Sequence, residues 1–178
     1  LYSLRLENWG EPFFNEEIFD MISYAKSKKI ATSFNTNLSF LDDQSAKKLV
    51  LSELDHIKIS LDGVTQESYA KYRVGGNFNK VVDNIRLLLR MRAKLNKINP
   101  FIEIQFIVMK HNEDEIEEIK QLCDELGVDG LWIERVRLDM REELIVTDRF
   151  SIDKYKEWLP TDSKYSLFDY RTKTRKNN

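Results

Sequence analysis

The feature that most constrains this chain is a regular alternation of β-type runs with amphipathic helical runs. Periodicity predicts five strands in the 178 residues, at residues 1–8, 30–35, 56–61, 101–109 and 131–138. A helical run separates each strand from the next, an order typical of an α/β fold with a parallel sheet. The spacing is regular except between the third and fourth strands. There, residues 62–78 form an additional segment before the next helix.

Four helices are predicted between the strands. The first covers residues 15–28 with Asn15 as its cap, the second follows Asp42, and the third begins near Asn79. The fourth pairs Asn112 with an acid three residues on, a variant of the capping box, and ends at a glycine. Cys123 lies on the apolar face of this fourth helix, so we expect it to pack in the core.

Composition excludes several classes of protein. Lys and Arg number 28 against 30 Asp and Glu, so no overall positive field would attract nucleic acid or an anionic membrane. The longest apolar runs, such as residues 101–109, are too short to cross a bilayer, and we expect a cytoplasmic location. A single cysteine excludes both an internal disulfide and a cluster site of several thiolates within these residues.

The strands alternate between an apolar and a polar face. Ile57 and Ile59 share one face of the third strand, whereas Lys58 and Ser60 share the other, which continues to Asp62. The neighbouring strands repeat this pattern. A polar inner face beside an apolar outer face predicts a partial barrel with a wet, ligand-binding interior and chemistry at the carboxyl ends of the strands. The alternative is a set of edge strands with one solvated face.

Four segments at or after strand ends carry a family resemblance. They are Asn-Trp-Gly-Glu-Pro at 8–12, Asn-Thr-Asn at 35–37, Ile-Ser-Leu-Asp-Gly at 59–63 and Tyr-Arg-Val-Gly-Gly-Asn-Phe at 72–78. Together they resemble the motifs of the radical S-adenosylmethionine superfamily, especially its branch with a cysteine-rich, C-terminal auxiliary-cluster (SPASM-type) domain. The resemblance covers roughly residues 4–138. Two positions depart from it, since Trp9 and Leu38 stand where the family has glycine.

The resemblance implies a partial (β/α)6 TIM-type barrel over residues 1–140, with strands 2 to 6 of the family present. The family's first strand and its three-cysteine loop would precede Leu1. Residues 141–178 are expected to form a short helix, near residues 152–158, and a linker towards a further domain.

The resemblance also assigns a cofactor site. Glu11, with the backbone around Gly10 and Pro12, would bind the methionyl ammonium, and Arg73 would bind the methionyl carboxylate. Ser60 and Asp62 would bind the ribose hydroxyls, although Asp-Gly at 62–63 also suits a plain turn. Further pocket positions are Asn37, Gln105 and Ile133 or its neighbour Trp132. No catalytic residue and no metal ligand is assigned within the chain.

The function implied is that of a radical S-adenosylmethionine enzyme core. The parent protein would bind a [4Fe–4S] cluster through residues outside this chain and generate a 5′-deoxyadenosyl radical that abstracts hydrogen from a substrate, with a peptide as a candidate. A flavodoxin or ferredoxin would be the reductant, and the chain alone would be inactive. Two alternatives stay open: a degenerate, non-catalytic module that binds a nucleoside or a partner, and an aldolase-like barrel that uses Lys58 as an imine-forming amine.

Overall fold

In the computed structural model, five parallel strands form one open sheet. The structure describes residues 1–7, 10–137 and 155–166, and the backbone of 168–169 and 174–175. The strands lie in chain order across the sheet: β1 Ser3–Arg5, β2 Ala31–Thr36, β3 His56–Ser60, β4 Phe101–Val108 and β5 Gly130–Arg135. Within the described ranges, no strand joins β5 back to β1. All five predicted strands are confirmed, with adjusted ends.

Within the described ranges, five α-helices connect and cover the strands: α1 Ile18–Ser27, α2 Asp43–Leu51, α3 Gln66–Tyr72, α4 Phe78–Lys94 and α5 Ile116–Leu126. Helix α2 follows Asp42 as predicted, and Asp42 caps it in a reciprocal capping box with Ser45. Gly127 ends α5 in the left-handed conformation, with φ 71°. No helix in the described part of the chain is long and apolar enough to span a membrane.

The outer, helix-covered face of the sheet forms the hydrophobic core. Alternate residues of β2, β3 and β4 are fully or almost fully buried there against the helices, among them Phe34, Ile57, Ile59, Ile104 and Phe106. Each buried aliphatic or aromatic side chain of this size contributes about 1.5–3 kcal/mol through burial. Cys123 is buried in the same core, as predicted.

The opposite, inner face is polar and half-buried, as the alternation predicts. Cross-strand register places its side chains in rows. One row runs from Asn35 through Lys58 to Glu103, and the row nearer the carboxyl ends runs from Ser60 through Gln105 to Trp132. These rows border the concave side of the sheet at the end where parallel α/β sheets carry their sites.

The segment between β3 and α4 differs from the sequence prediction, because it contains a helix of its own. Helix α3 is a short helix capped by Thr65, and its Tyr69 is 1% exposed. Asp62, which the alternation placed on the polar inner face, is instead fully buried. Strand alternation no longer applies at this position because β3 ends at Ser60.

Two predicted helix caps are also wrong. Asn15 accepts a hydrogen bond from the Glu17 amide at 3.0 Å in a turn before α1, which begins only at Ile18. Asn112 does not cap α5, because a turn of 3-10 helix precedes that helix and the Asn112 side chain is buried elsewhere.

The predicted helix near residues 152–158 lies partly outside the described residues. Its described part is a turn in which the Trp158 amide donates to the Tyr155 carbonyl at 2.9 Å. Beyond it, β6 Phe168–Asp169 and β7 Thr174–Arg175 pair antiparallel.

Candidate functional site

Glu11, in the segment that follows β1, is bonded to the carboxyl end of β2. Its Oε1 accepts a hydrogen bond from Thr36 Oγ1 at 2.5 Å, and its Oε2 accepts one from the Asn37 amide at 2.9 Å. Gly10 beside it has φ 103°, a conformation that glycine adopts without the strain a side chain would add. Pro12 is buried at the start of the 3-10 helix Pro12–Phe14. The structure therefore fixes the predicted Gly-Glu-Pro segment against the next strand end.

The turn after β2 is equally well defined. Asn37 Oδ1 accepts a hydrogen bond from the Ser39 amide at 2.8 Å, so this side chain closes the local turn. Leu38 adopts φ 55° and is fully buried, and its carbonyl accepts from Asn84 Nδ2 at 2.7 Å. Leu38 occupies the position where the related motif has glycine. The left-handed conformation is thus kept here by a leucine, at a steric cost of about 1–2 kcal/mol.

Asp62 and Arg73 form a buried ion pair behind the end of β3. Asp62 Oδ2 accepts from Arg73 Nε at 2.7 Å and from Nη2 at 2.6 Å, and Oδ1 accepts from the Ile107 amide at 2.7 Å. The Asp62 side chain is fully buried, whereas the Arg73 side chain is 28% exposed. Burial raises the pKa of Asp62, and the Arg73 charge and the Ile107 hydrogen bond oppose this shift.

Helix α3 packs directly onto the Asp-Gly turn. A Cβ atom at Gly63 would lie 2.4 Å from the Tyr69 amide nitrogen, so only glycine allows α3 to approach this closely. The side chain of Asn112 supports the turn from below, donating to the carbonyls of Asp62 at 3.1 Å and Ile107 at 3.0 Å. The turn that carries Asp62 is therefore held from two sides.

The predicted nucleoside contacts on the inner face lie in one row. Ser60 pairs in register with Gln105, and Gln105 pairs with Trp132. The Trp132 ring is 49% exposed, and its Nε1 donates to Glu134 Oε2 at 2.8 Å. Ile133 pairs with Phe106, and its side chain packs against the core on the outer face. Only the backbone of Ile133 borders the inner face at this position.

A charged cluster below this row was not predicted as a site. Glu103 Oε2 lies 3.2 Å from Lys58 Nζ and 3.3 Å from His56 Nε2. The Lys58 ammonium also lies 4.7 Å from the centroid of the Trp132 ring, within cation–π range. Strand alternation placed Lys58 and Glu103 on the same face, but only the register shows that they are direct neighbours.

Thr36 and Asn112 were also missed as parts of the site. Thr36 holds Glu11, and an interior strand threonine gives no sequence signal for that contact. Asn112 looks like a helix cap in the sequence because asparagine is frequent at caps. Its actual partners include Asp62, 50 residues away.

Comparison with known proteins points to one family. The sequence model of the "Radical SAM superfamily" matches residues 9–126, more than half of the chain. The mycofactocin maturase MftC of Mycobacterium ulcerans is 28% identical over 155 residues, covering 84% of this chain and 40% of that protein. The chain thus spans well under two thirds of this curated relative.

Solved structures show the same fold. Streptococcus suis SuiB bound to S-adenosylmethionine superposes with a TM-score of 0.62 at 16% identity, over 89% of this chain and 36% of SuiB. The enzyme anSMEcpe with bound AdoMet and a Kp18Cys peptide superposes with a TM-score of 0.59 at 19% identity, over 77% of this chain and 41% of anSMEcpe. The open sheet is therefore the partial barrel that the sequence predicted. The chain belongs to the radical S-adenosylmethionine superfamily, whose members are enzymes that use S-adenosylmethionine and a [4Fe–4S] cluster.

Proposed function

We propose that this chain forms the S-adenosylmethionine-binding core of an enzyme whose iron–sulfur cluster is held by residues outside it. The observation that carries the proposal is the convergence of the strand-end segments. Glu11, which follows β1, bonds to the end of β2, and Asp62, which follows β3, bonds to Arg73 and to β4. The two predicted cofactor-binding charges, Glu11 and Arg73, are each held by a neighbouring element.

Glu11 suits the methionyl ammonium of the cofactor. A carboxylate has about four acceptor positions. Thr36 Oγ1, the Asn37 amide and, at 3.4 Å, the Phe13 amide donate to three of them. The backbone beside it is accessible, since a Cβ built on Gly10 would meet no atom within 4 Å. An ammonium group can therefore donate a charge-assisted hydrogen bond to the side of the Glu11 carboxylate that faces away from β2.

Arg73 suits the methionyl carboxylate. Asp62 engages Nε and Nη2 of the guanidinium, which leaves the N–H groups of Nη1 for a second carboxylate. Asp62 would then act by orienting Arg73. A ribose contact for Asp62 would need its buried carboxylate to leave Arg73 or Ile107, so we assign the ribose hydroxyls to Ser60.

The nucleoside would lie along the row of Ser60, Gln105 and Trp132. Gln105 has both a donor and an acceptor for ribose or substrate. Trp132 presents an exposed aromatic face for the adenine, and the backbone of Ile133 borders the same position. Asn37 would line the pocket through its backbone, because its side chain closes the local turn.

The chain's own residues do not suit the cluster. A [4Fe–4S] cluster is held by cysteine thiolates, and Cys123 is the single cysteine of the sequence. Burial raises the pKa of the Cys123 thiol to about 12, which keeps it protonated in the core. Within the described ranges, no three His, Cys, Asp or Glu side chains are grouped so that they could hold a metal ion. When bound beside such a cluster, S-adenosylmethionine supplies a 5′-deoxyadenosyl radical for hydrogen abstraction after accepting one electron.

A peptide is the substrate class that we propose, with a flavodoxin or ferredoxin as reductant and a cytoplasmic location. One relative is named a maturase, and one structural neighbour was solved with a peptide bound. The charged cluster of Lys58, Glu103 and His56 would meet a polar substrate on the inner face. A cysteine-rich auxiliary-cluster domain after this chain belongs to the same proposal.

The test uses the natural full-length protein, purified without oxygen. Titration calorimetry with S-adenosylmethionine, an iron assay and the release of 5′-deoxyadenosine after reduction are measured together. We expect binding, about four irons per cluster and slow nucleoside release. Binding without iron would instead support a non-catalytic module, and no binding would refute the proposal.

A matched pair of variants assigns the ammonium contact. Glu11→Gln removes one charge with little change of shape, and we expect it to weaken S-adenosylmethionine binding by about tenfold or more. Glu16→Gln, in the exposed turn before α1, makes the same chemical change away from the site and should leave binding unchanged. Equal effects of the two variants would contradict the role of Glu11.

A further inference from the structure

The C-terminal segment, residues 155–166, is anchored where β4 and β5 end. Glu113 accepts hydrogen bonds from the Thr161 amide at 2.7 Å and from Thr161 Oγ1 at 2.6 Å. The Lys110 amide donates to the Trp158 carbonyl at 3.2 Å, and the Val136 amide donates to the Tyr165 carbonyl at 3.1 Å. Each anchoring group lies at or just after the carboxyl end of a strand. The segment therefore lies at the edge of the sheet that carries the cofactor site.

Leu159 gives this contact a small core of its own. It is 5% exposed and packs with Met109 and Val136, which follow β4 and β5. Five buried or half-buried hydrophobic residues of the described part of the chain form this second cluster, which is separate from the core under the helices. The placement of the segment thus rests on packing as well as on hydrogen bonds.

Trp158 extends from this anchored segment to the end of α3. Its ring lies 5.9 Å from the Tyr72 ring and 5.7 Å from the His111 ring, edge to face in both cases. Such aromatic pairs prefer this geometry and contribute beyond simple area burial. The Tyr72 ring in turn lies 5.2 Å from the Arg73 guanidinium carbon, within cation–π range.

Arg73 is therefore held on two sides, by Asp62 and by the Tyr72 ring. We propose that Trp158 is a positioning residue for Arg73: by packing on Tyr72, it fixes the end of α3 and so orients the guanidinium towards the carboxylate of the bound nucleoside. The inference rests on the proposed function, because it assumes that Arg73 binds the methionyl carboxylate. It adds residues 155–166, which no motif assigned, to the machinery that supports the site.

His111 is the second ring that Trp158 contacts. Burial lowers the pKa of His111 and the Lys71 charge lowers it further, whereas a Ser68 backbone contact and Asp62 oppose the shift. Trp158 thus contacts two aromatic rings, one on the loop after β4 and one on α3.

The discriminating experiment compares two ligands with three proteins. The full-length protein, Trp158→Ala and Trp158→Phe are titrated with S-adenosylmethionine and with its decarboxylated analogue, which lacks the group that Arg73 would bind. We expect Trp158→Ala to weaken S-adenosylmethionine binding by about 3- to 10-fold, the range expected for losing the preorganisation of one long side chain. Binding of the analogue should change less than twofold. Trp158→Phe should restore most of the loss, because a phenyl ring can still pack on Tyr72.

The outcomes separate the two proposals. If the unaltered protein fails to bind S-adenosylmethionine, the proposed function itself fails. If it binds and Trp158→Ala weakens both ligands equally, or neither, then Trp158 does not act through Arg73 and the inference is overturned. Tyr24→Ala, which removes a 67% exposed aromatic from α1, is the matched surface control and should bind both ligands normally.

Discussion

The buried side of the sheet and its half-buried inner face differ in how their charged groups are paired. Behind the end of β3, where the chain turns under α3, the buried charge is paired: Asp62 is fully buried, and three N–H groups bind its carboxylate. On the inner face, the side chains of Lys58 and Glu103 are 21% and 15% exposed. The Glu103 carboxylate lies near both Lys58 Nζ, at 3.2 Å, and His56 Nε2, at 3.3 Å. This buried carboxylate is thus paired within the chain. The inner face retains hydrogen-bonding capacity for a ligand.

This difference predicts which residues of the fold serve stability and which serve ligand binding. Burying an ionised group is unfavourable unless it is paired and hydrogen-bonded. Asp62 meets both conditions, so its buried charge can hold a turn in place. The inner cluster is only partly removed from water, so its charges contribute little to stability. We expect substitutions on the outer face to affect unfolding, and those on the inner face to affect binding.

The largest expected difference in the free energy of unfolding is between variants of Ile59 and Lys58, neighbouring residues of β3 that point to opposite faces. Ile59→Ala should lower the free energy of unfolding by about 3 kcal/mol, because it leaves a cavity in a fully packed site. Lys58→Ala should lower it by less than about 1 kcal/mol. Urea unfolding followed by circular dichroism measures both. Similar losses for the two variants would contradict the distinction between the faces.

Removal of the buried Asp62 carboxylate should lower the free energy of unfolding by nearly as much. Asp62→Ala leaves the Ile107 amide and part of the Arg73 guanidinium without a partner. Because Arg73 is partly exposed and can regain water, we expect a loss of about 2–3 kcal/mol, below the usual range for a broken buried pair. Glu103→Ala, on the inner face, is the matched control and should cost less than about 1 kcal/mol. If Asp62→Ala loses less free energy of unfolding than Glu103→Ala does, Asp62 has no structural role.

The sequence predicted the alternation of apolar and polar faces in the strands but not the positions that depart from it. Period-two alternation identified β2, β3 and β4 and their polar face, because each of these strands is covered by helices on one side only. The motifs also singled out Glu11 and Arg73, whose role in cofactor binding stays a prediction. Alternation ceased to apply at Asp62, where the chain leaves the strand and turns under α3.

Helix α3 itself escaped prediction for a physical reason. It has seven residues and only two buried positions, Ser68 and Tyr69, too few to establish a helical period. Contacts between distant segments were inaccessible for a different reason. The partners of Asn112 and Trp158 lie about 50 and 86 residues away in sequence, as for Asp62 with Asn112 and Tyr72 with Trp158. Local patterns do not reveal such pairs.

A smaller change in the free energy of unfolding is expected when the ion pair of Lys58 and Glu103 on the inner face is removed. The double variant Lys58→Met with Glu103→Leu replaces the ion pair by apolar side chains of similar length. Since these charges are only partly buried and contribute little to stability, we expect the free energy of unfolding to stay within about 1 kcal/mol of the original. Turnover of the natural substrate should fall, with S-adenosylmethionine binding retained. A large loss of stability would show that the cluster is structural.

The smallest effect is a pH dependence carried by Asp62. Its pKa is raised above the usual 3.8 by burial, so the folded protein holds this proton more tightly than the unfolded chain does. The unfavourable contribution of the ionised carboxylate is absent below the unfolded pKa and develops as pH rises through the folded pKa. Asp62→Asn has no such titration. From about pH 7 to about pH 4, the unaltered protein should therefore gain stability relative to Asp62→Asn, measured by urea unfolding of both proteins at each pH. A relative loss on acidification would mean that Arg73 and the Ile107 amide outweigh burial, and that the pair stabilises the ionised form.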